Sequence, residues 1–225
     1  MKESHLSYYY EYLAPESEWI FVTPSQEASM LNTTVQEVGE FFSRGKHYTH
    51  RGPLDSFQIC FSFSDSIGTI LYRGKKHSFP GENELTFIDC SDGHNTDTLG
   101  NGHFVFLHFQ SNGLKELYNL FYDMNGKSPI VKNVSKDIVS ALFLLLKMYK
   151  EPNGFITDLN AELIITQMVM DIMRPLVPSP LKQYSKHVQT AVNIINEEYS
   201  NPLSLDTLAK KCYVSKCYLL RSFKK

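Results

Sequence analysis

The side chains able to do chemistry in this sequence of 225 residues fall into two sets. Eight histidines and four cysteines are potential metal ligands or nucleophiles, and lysines and arginines gather near the end of the chain, where they could meet an anionic polymer. Metal-dependent catalysis on a β-barrel needs neutral imidazoles clustered with a carboxylate, typically two histidines two residues apart on a strand so that both point inward. The sequence has no H-x-H pair. His47 and His50 are three apart, which on an extended strand sends them to opposite faces. Cys60, Cys90, Cys212 and Cys217 contain no C-x-x-C pair and read as reduced, mostly buried thiols; Cys212 and Cys217, five apart without nearby histidines, are weak zinc candidates. No G-x-S-x-G, Walker or dinucleotide fingerprint is present. These absences argue against an enzyme and give no reason to expect a cofactor.

The basic set stands out only locally. The whole chain carries a formal charge of −2, yet Leu181 to Lys225 holds eight lysines and arginines against three acidic residues, a net of +5 that leaves −7 for the rest. Such asymmetry suggests a basic module joined to an acidic body. The length favours two domains. No apolar run approaches a membrane span, and the polar start, Met1 to Ser7, lacks a secretory segment, so a cytoplasmic protein without a membrane partner is expected.

Strands must position whatever the first half binds. Phe57, Ile59, Phe61 and Phe63 alternate with polar or small residues, the period of a strand with one face on a core. Further strands are predicted at Trp19 to Val22, Thr69 to Tyr72, Lys76 to Phe79, Glu84 to Ile88 and Phe104 to Phe109. The turns expected between them are Asp65 to Gly68, Arg73-Gly74, Phe79 to Glu82, and the stretch Ser91 to Gly102. This spacing suggests a sandwich or barrel. After Gln110 the period becomes helical: Leu114, Leu117, Tyr118 and Phe121 mark one helix, and Ile138, Ala141, Leu142, Leu145, Leu146 and Tyr149 a second. A third helix, Thr157 to Met173, is apolar over more than one stripe, so it either packs on its own barrel and on a second copy or lies wholly in the core. Pro175, Pro178 and Pro180 make Arg174 to Ser185 a semi-rigid linker. The expected division is therefore a body over 1–173, a linker over 174–185 and a small helical domain over 186–225.

In that last segment Val188, Ala191, Val192, Ile195 and Tyr199 share a helix face, and the helix should end before Asn201-Pro202. Ser204 caps a short helix, Leu205 to Lys211. The turn Cys212-Tyr213-Val214 follows, and Ser215 caps a last helix. Leu205, Leu208, Ala209, Val214, Leu219 and Phe223 are the expected core. The layout is that of a helix-turn-helix, whose second helix enters the DNA major groove.

The ordered run V-x-x-A-V-x-I-I-N-E-x-Y-x-N-P-L-S-L-x-x-L-A-x-x-x-x-V-S-x-x-Y-L-x-R-x-F-K-K, Val188 to Lys225, resembles the opening half of the DNA-binding domain of the AraC/XylS family of bacterial transcription regulators. The resemblance implies base-reading roles for Cys217, Leu220 and Arg221. Arg221 can donate two hydrogen bonds to guanine, whereas Cys217 and Leu220 offer only apolar contacts, or else pack between the helices. Lys216, Lys224 and Lys225 suit phosphates. Family members continue into a second helix-turn-helix, so the sequence is expected to be truncated or a fragment, with weak, mostly non-specific DNA binding unless dimerisation compensates.

Residues from about Trp19 to Phe109 resemble the cupin-like effector-binding barrel of the sugar-responsive members. The matching pieces are His50-Arg51-Gly52, the strand from Phe57, Phe79-Pro80-Gly81-Glu82 before Leu85-Thr86-Phe87-Ile88, His94, and Phe106-Leu107-His108-Phe109. The resemblance implies an α+β chain: a jelly-roll barrel, then helices, then an incomplete helix-turn-helix domain. It also implies a carbohydrate effector, for which Arg51 and His94 are the polar candidates, Phe106 the stacking ring and His108 a further lining residue. The partners implied are promoter DNA, the effector, a second copy of the chain and RNA polymerase. The alternative is a sensor and dimerisation module without productive DNA binding.

Overall fold

A computed structural model describes residues 13–63, 67–79, 83–177 and 184–223, with the side chains of His47 and Ile67 excepted. The expected turns at Asp65-Ser66 and Pro80 to Glu82, and residues 178–183 of the expected linker, lie outside the described residues. The chain divides into two compact units, Met1–Leu176 and Val177–Lys225.

Among the described residues the first unit has ten strands: β1 (Glu18–Phe21), β2 (Thr33–Ser43), β3 (Lys46–Arg51), β4 (Phe57–Ser62), β5 (Ile67–Tyr72), β6 (Lys75–Ser78), β7 (Leu85–Asp89), β8 (His94–Leu99), β9 (Gly102–Ser111) and β10 (Ile130–Val131). They form one sheet in the order β1-β2-β9-β4-β7-β10 and another in the order β3-β8-β5-β6. Removing the edge strands β1 and β10 leaves β2-β9-β4-β7 and β3-β8-β5-β6. This order, with every pairing antiparallel, is that of a jelly roll. The β5–β6 hairpin turns through Arg73 and Gly74, whose φ of +47° and +72° suit a two-residue hairpin turn.

The larger sheet has two faces of different chemistry. Phe57, Ile59, Leu85, Phe87, Val105, Leu107 and Phe109 form one core with the helices that follow the strands. Those helices are α1 (Leu114–Met124), α2 (Lys136–Lys150) and α3 (Gly154–Met173). Ring contacts of 5.0 Å between Phe87 and Tyr118 and 5.2 Å between Phe87 and Phe121 seat α1 on that face. The alternate positions, Gln58 and Cys60 of β4, Thr86 of β7, and Phe104 and Phe106 of β9, face the smaller sheet instead and line a cavity.

Helix α2 begins at Ser135, whose hydroxyl accepts from the Ile138 amide. Helix α3 anchors the chain ahead of β2 through two carboxylates. Asp158 accepts from the Ser25 amide at 2.9 Å and the Tyr149 hydroxyl at 3.1 Å, and Glu162 accepts from the amides of Asn32 and Thr33. One side of α3 buries Ala161, Ile165, Met168, Val169 and Ile172, while Ile156, Leu159, Leu163 and Met170 remain exposed. No helix among the described residues is long and apolar enough to cross a membrane.

Four strands depart from the sequence expectation. β2, β3, β8 and β10 carry no clear apolar alternation, and β8 occupies the stretch Ser91 to Gly102 expected as turn. The inward positions of β8 are His94, Thr96 and Thr98, which are polar because they line the cavity. β2 is hidden for another reason: its pairing with β9 slips between Val35 and Glu37. That bulge reverses the inside–outside parity partway along the strand and breaks the period of two.

The second unit holds α4 (Lys186–Glu198), α5 (Leu205–Lys211) and α6 (Lys216–Phe223). Its core is Ala191, Leu208, Ala209, Cys212 and Leu219, with Ile194, Leu205 and Val214 packed against it. The Ser204 and Ser215 hydroxyls accept from the amides of Thr207 and Tyr218, three residues on in each case. Phe223, expected in this core, is 48% exposed, and the core closes at Leu219.

Candidate functional site

The cavity between the two sheets measures about 70 Å³ and draws on seven strands, β2 to β5 and β7 to β9. β3 contributes Thr49 and Arg51, and β8 contributes His94, Thr96 and Thr98. These side chains fall on alternate positions, so one face of each strand is committed to the cavity. Arg51 and His94 are cross-strand partners in the β3–β8 register, which brings the two polar candidates side by side. Phe41, Phe79, Phe104 and Phe106 supply aromatic wall. Gly39 lies opposite Phe106, and a Cβ there would stand 2.7 Å from the Phe106 ring and 2.5 Å from the Glu18 carbonyl oxygen. The missing side chain is what lets this ring lie across β2.

Behind Arg51 sits a residue the sequence reading did not single out. Glu37, turned inward by the β2 bulge and nearly buried, accepts from Arg51 Nη1 at 2.8 Å through Oε1 and from Trp19 Nε1 at 2.7 Å through Oε2. The pair joins the two sheets. No signal in the sequence marks Glu37, because only the bulge decides which face it takes.

Three of the four candidates, Arg51, His94 and Phe106, line the cavity, and His108 does not. His108 shares the inward face of β9 with Phe104 and Phe106 but lies deeper and is fully buried. Its Nε2 stands 3.8 Å from Glu37 Oε1, and its Nδ1 is 3.9 Å from Cys90 Sγ. It belongs to the packing behind the ion pair, not to the cavity wall. Lining residues missed by sequence reasoning include Thr49, Gln58, Thr86, Thr96 and Thr98, whose small or polar side chains carry no distinguishing pattern.

The electrostatics follow from burial. Desolvation, reinforced by the Arg51 charge, lowers the His94 pKa to about 4, and its Nδ1 has no hydrogen-bond partner. His108 is held well below its ordinary value by desolvation first and by Arg51 second. Burial pushes the thiols of Cys60 and Cys90 up to about 12, so neither is a ready nucleophile. Among the described residues no group of three or more His, Cys, Asp or Glu side chains is placed to hold a metal ion. An arginine, a neutral imidazole, several hydroxyls and four phenyl rings can hold a small polar molecule by hydrogen bonds and stacking. A cavity this size suits a compact ligand, well below the roughly 300 Å³ at which drug-sized pockets begin.

In the second unit Lys216, Cys217, Leu220 and Arg221 are all exposed on α6, while Leu219 between them is buried. Leu220 and Cys217 therefore do not pack between the helices. Lys216 Nζ is bonded to Asp206 at 2.9 Å. Lys224 and Lys225 lie outside the described residues.

No family model matches the chain, and no curated protein matches it. Solved structures similar to it include the AraC-like transcriptional activator CuxR, at 14% identity over 97% of this chain and 84% of that one, with a TM-score of 0.40. An apo ToxT variant from Vibrio cholerae is 6% identical over 86% of this chain and 75% of that one, with a TM-score of 0.43. A cupin domain of an XRE family transcriptional regulator from Enterobacter cloacae is 10% identical over 41% of this chain and 94% of that domain, with a TM-score of 0.30. These likenesses are too distant to carry function; the jelly-roll assignment rests on the strand order.

His94 has a measurable consequence. Above its ordinary pKa of 6.5 the imidazole is neutral in both folded and unfolded chains. As pH falls below that value the unfolded chain takes up a proton that folded His94 refuses until about pH 4, so stability declines across this window. The thermal midpoint of His94→Gln should fall less steeply between these pH values than that of the wild type; parallel profiles would place a solvated histidine at this position.

Proposed function

We propose that the protein is an effector-responsive transcription regulator. In this reading the jelly-roll unit binds a small carbohydrate in its cavity, the helices following the barrel pair two copies of the chain, and the helix-turn-helix unit reads promoter DNA. The observation that carries the proposal is the joint placement of Arg51 and His94 on one wall of the cavity and Phe106 on the wall that faces it, since a guanidinium, an imidazole and an aromatic ring are the groups that grip a sugar's hydroxyls and its apolar face. The exposed side chains of α6 support the DNA reading, with Arg221 as the guanine contact and Cys217 and Leu220 beside it. Lys216 serves a phosphate once released from Asp206, and Lys224 and Lys225 extend the basic stretch. RNA polymerase is a partner of such a regulator by the same reading.

Pairing is supported by α3. Its exposed residues Ile156, Leu159, Leu163 and Met170 follow the three-and-four spacing of a coiled-coil seam. A groove between α2 and α3, lined by Ala141, Leu144, Leu163 and Met168, is open beside them. Effector binding then acts by linkage: a sugar that prefers one arrangement of the regulator shifts DNA affinity by its differential affinity alone. The sensor without productive DNA binding is the second reading, favoured by the Lys216–Asp206 ion pair, which occupies one of the expected phosphate contacts.

Three measurements test this. In a thermal-shift screen of neutral sugars and sugar phosphates, a bound ligand raises the midpoint with concentration, and Arg51→Ala should abolish the rise; no response to any of them removes the sugar sensor. In fluorescence anisotropy with promoter fragments, Arg221→Ala should weaken binding by about 1–3 kcal/mol at a site containing guanine and much less elsewhere. An equal loss on every sequence would make Arg221 a phosphate contact, and no binding at all would leave the sensor reading. In analytical ultracentrifugation the wild type should sediment as a dimer and Leu163→Glu as a monomer, and a monomeric wild type removes the pairing.

A further inference from the structure

The cavity has an unusual charge balance. Among the described residues Arg51 is its sole charged lining residue, and Glu37 directly behind answers that charge with a carboxylate bonded on both oxygens, to Arg51 Nη1 at 2.8 Å and to Trp19 Nε1 at 2.7 Å. Every other lining group is a hydroxyl, an amide, a hydrocarbon, the neutral Cys60 thiol or the neutral His94 imidazole. Glu37 is nearly buried, so solvent does little to screen it. An anionic ligand drawn to Arg51 would give up its own hydration and meet a carboxylate one hydrogen bond away, in surroundings where like charges repel strongly. An uncharged hydroxyl meets no such opposition, and it can exchange hydrogen bonds with the threonine hydroxyls and the Gln58 amide of the lining.

We propose that Glu37 sets the charge class of the effector: by neutralising Arg51 inside the barrel it makes the cavity select uncharged, hydroxyl-bearing molecules over carboxylates and phosphates of similar size. Glu37 is thus a specificity-determining residue that acts through Arg51 without lining the cavity. The inference rests on the reading of this cavity as an effector site. It sharpens that reading from carbohydrates in general to neutral ones, and sugar phosphates and uronic acids fall outside it.

The test uses the full chain near neutral pH, with thermal unfolding and the fluorescence of Trp19, the one tryptophan in the sequence, as readouts. The probes are glucose, glucuronate, glucose 6-phosphate and formate at matched ionic strength. In the wild type, glucuronate, glucose 6-phosphate and formate should produce no stabilisation that Arg51→Gln removes. Glu37→Gln frees the guanidinium, so formate and glucuronate should now stabilise the protein in proportion to concentration, with a gain in affinity of about tenfold or more. That gain should vanish in the double variant Glu37→Gln, Arg51→Gln. Two results overturn the proposal: wild-type binding of an anion that depends on Arg51, or a folded Glu37→Gln that gains no response to anions. If Glu37→Gln does not fold, the comparison of wild type with Arg51→Gln still decides the first of these. If glucose fails to bind while Glu37→Gln acquires anion binding, the sugar reading falls and the role of Glu37 stands.

Discussion

Successive side chains of a strand leave on opposite faces of its sheet, and the larger sheet of this protein puts that alternation to two uses. On β4, β7 and β9 one set of positions is apolar and packs beneath three helices, and the intervening set borders a polar cavity. A slip of one residue in any of these strands would exchange the two sets. It would carry Phe57, Ile59, Leu107 and Phe109 into the cavity and Gln58 into the helix core. The helical core therefore holds the cavity in register, because burying those side chains is worth roughly 1.5–3 kcal/mol each and the alternative register forfeits it.

Within that frame the bulge in β2 is the one deliberate break. Val35 and Val38 both join the helix-side core although they stand three positions apart, and Glu37 is turned inward between them. There it meets Trp19 from the neighbouring strand of its own sheet and Arg51 from the opposite sheet. A buried ion pair adds little net stability over an apolar substitute, but removing one partner leaves an uncompensated charge at a cost of about 3–5 kcal/mol. The pair thus ties the position of Arg51, and with it the shape of the cavity, to the pairing of β1 with β2. His108 closes the rear of this arrangement as a neutral packed ring, and His94, opposite Arg51 in the register, keeps a buried nitrogen without a partner.

The second unit applies the same economy on a smaller scale. Leu219 is buried against Leu208, Ala209 and Cys212, and its neighbours Leu220 and Arg221 are exposed with Cys217 one turn earlier. A helix that packs by one residue per turn presents the rest of its surface outward.

The helices and the well-alternating strands were legible from residue order, because an apolar stripe at 3.6 or 2 residues is imposed by the core it must cover. The strands β4, β5, β7 and β9, helices α1 to α3 and the three short helices from Lys186 onward follow that rule. The strands that build the cavity were not legible: β3 and β8 point threonine, arginine and histidine inward, and a polar binding face erases the pattern that marks a strand. Arg51, His94 and Phe106 could be nominated from sequence by resemblance; that they line one cavity with Thr49, Thr96 and Thr98, and that His108 stands behind it, was decided by the pairing of β3 with β8, by the facing of the two sheets and by depth within the barrel. Glu37 is the limiting case. Its residue type is plain in the sequence, but whether a strand carboxylate faces water or an arginine in the interior depends on a single bulge, and a bulge is a property of two paired strands, not of either one alone.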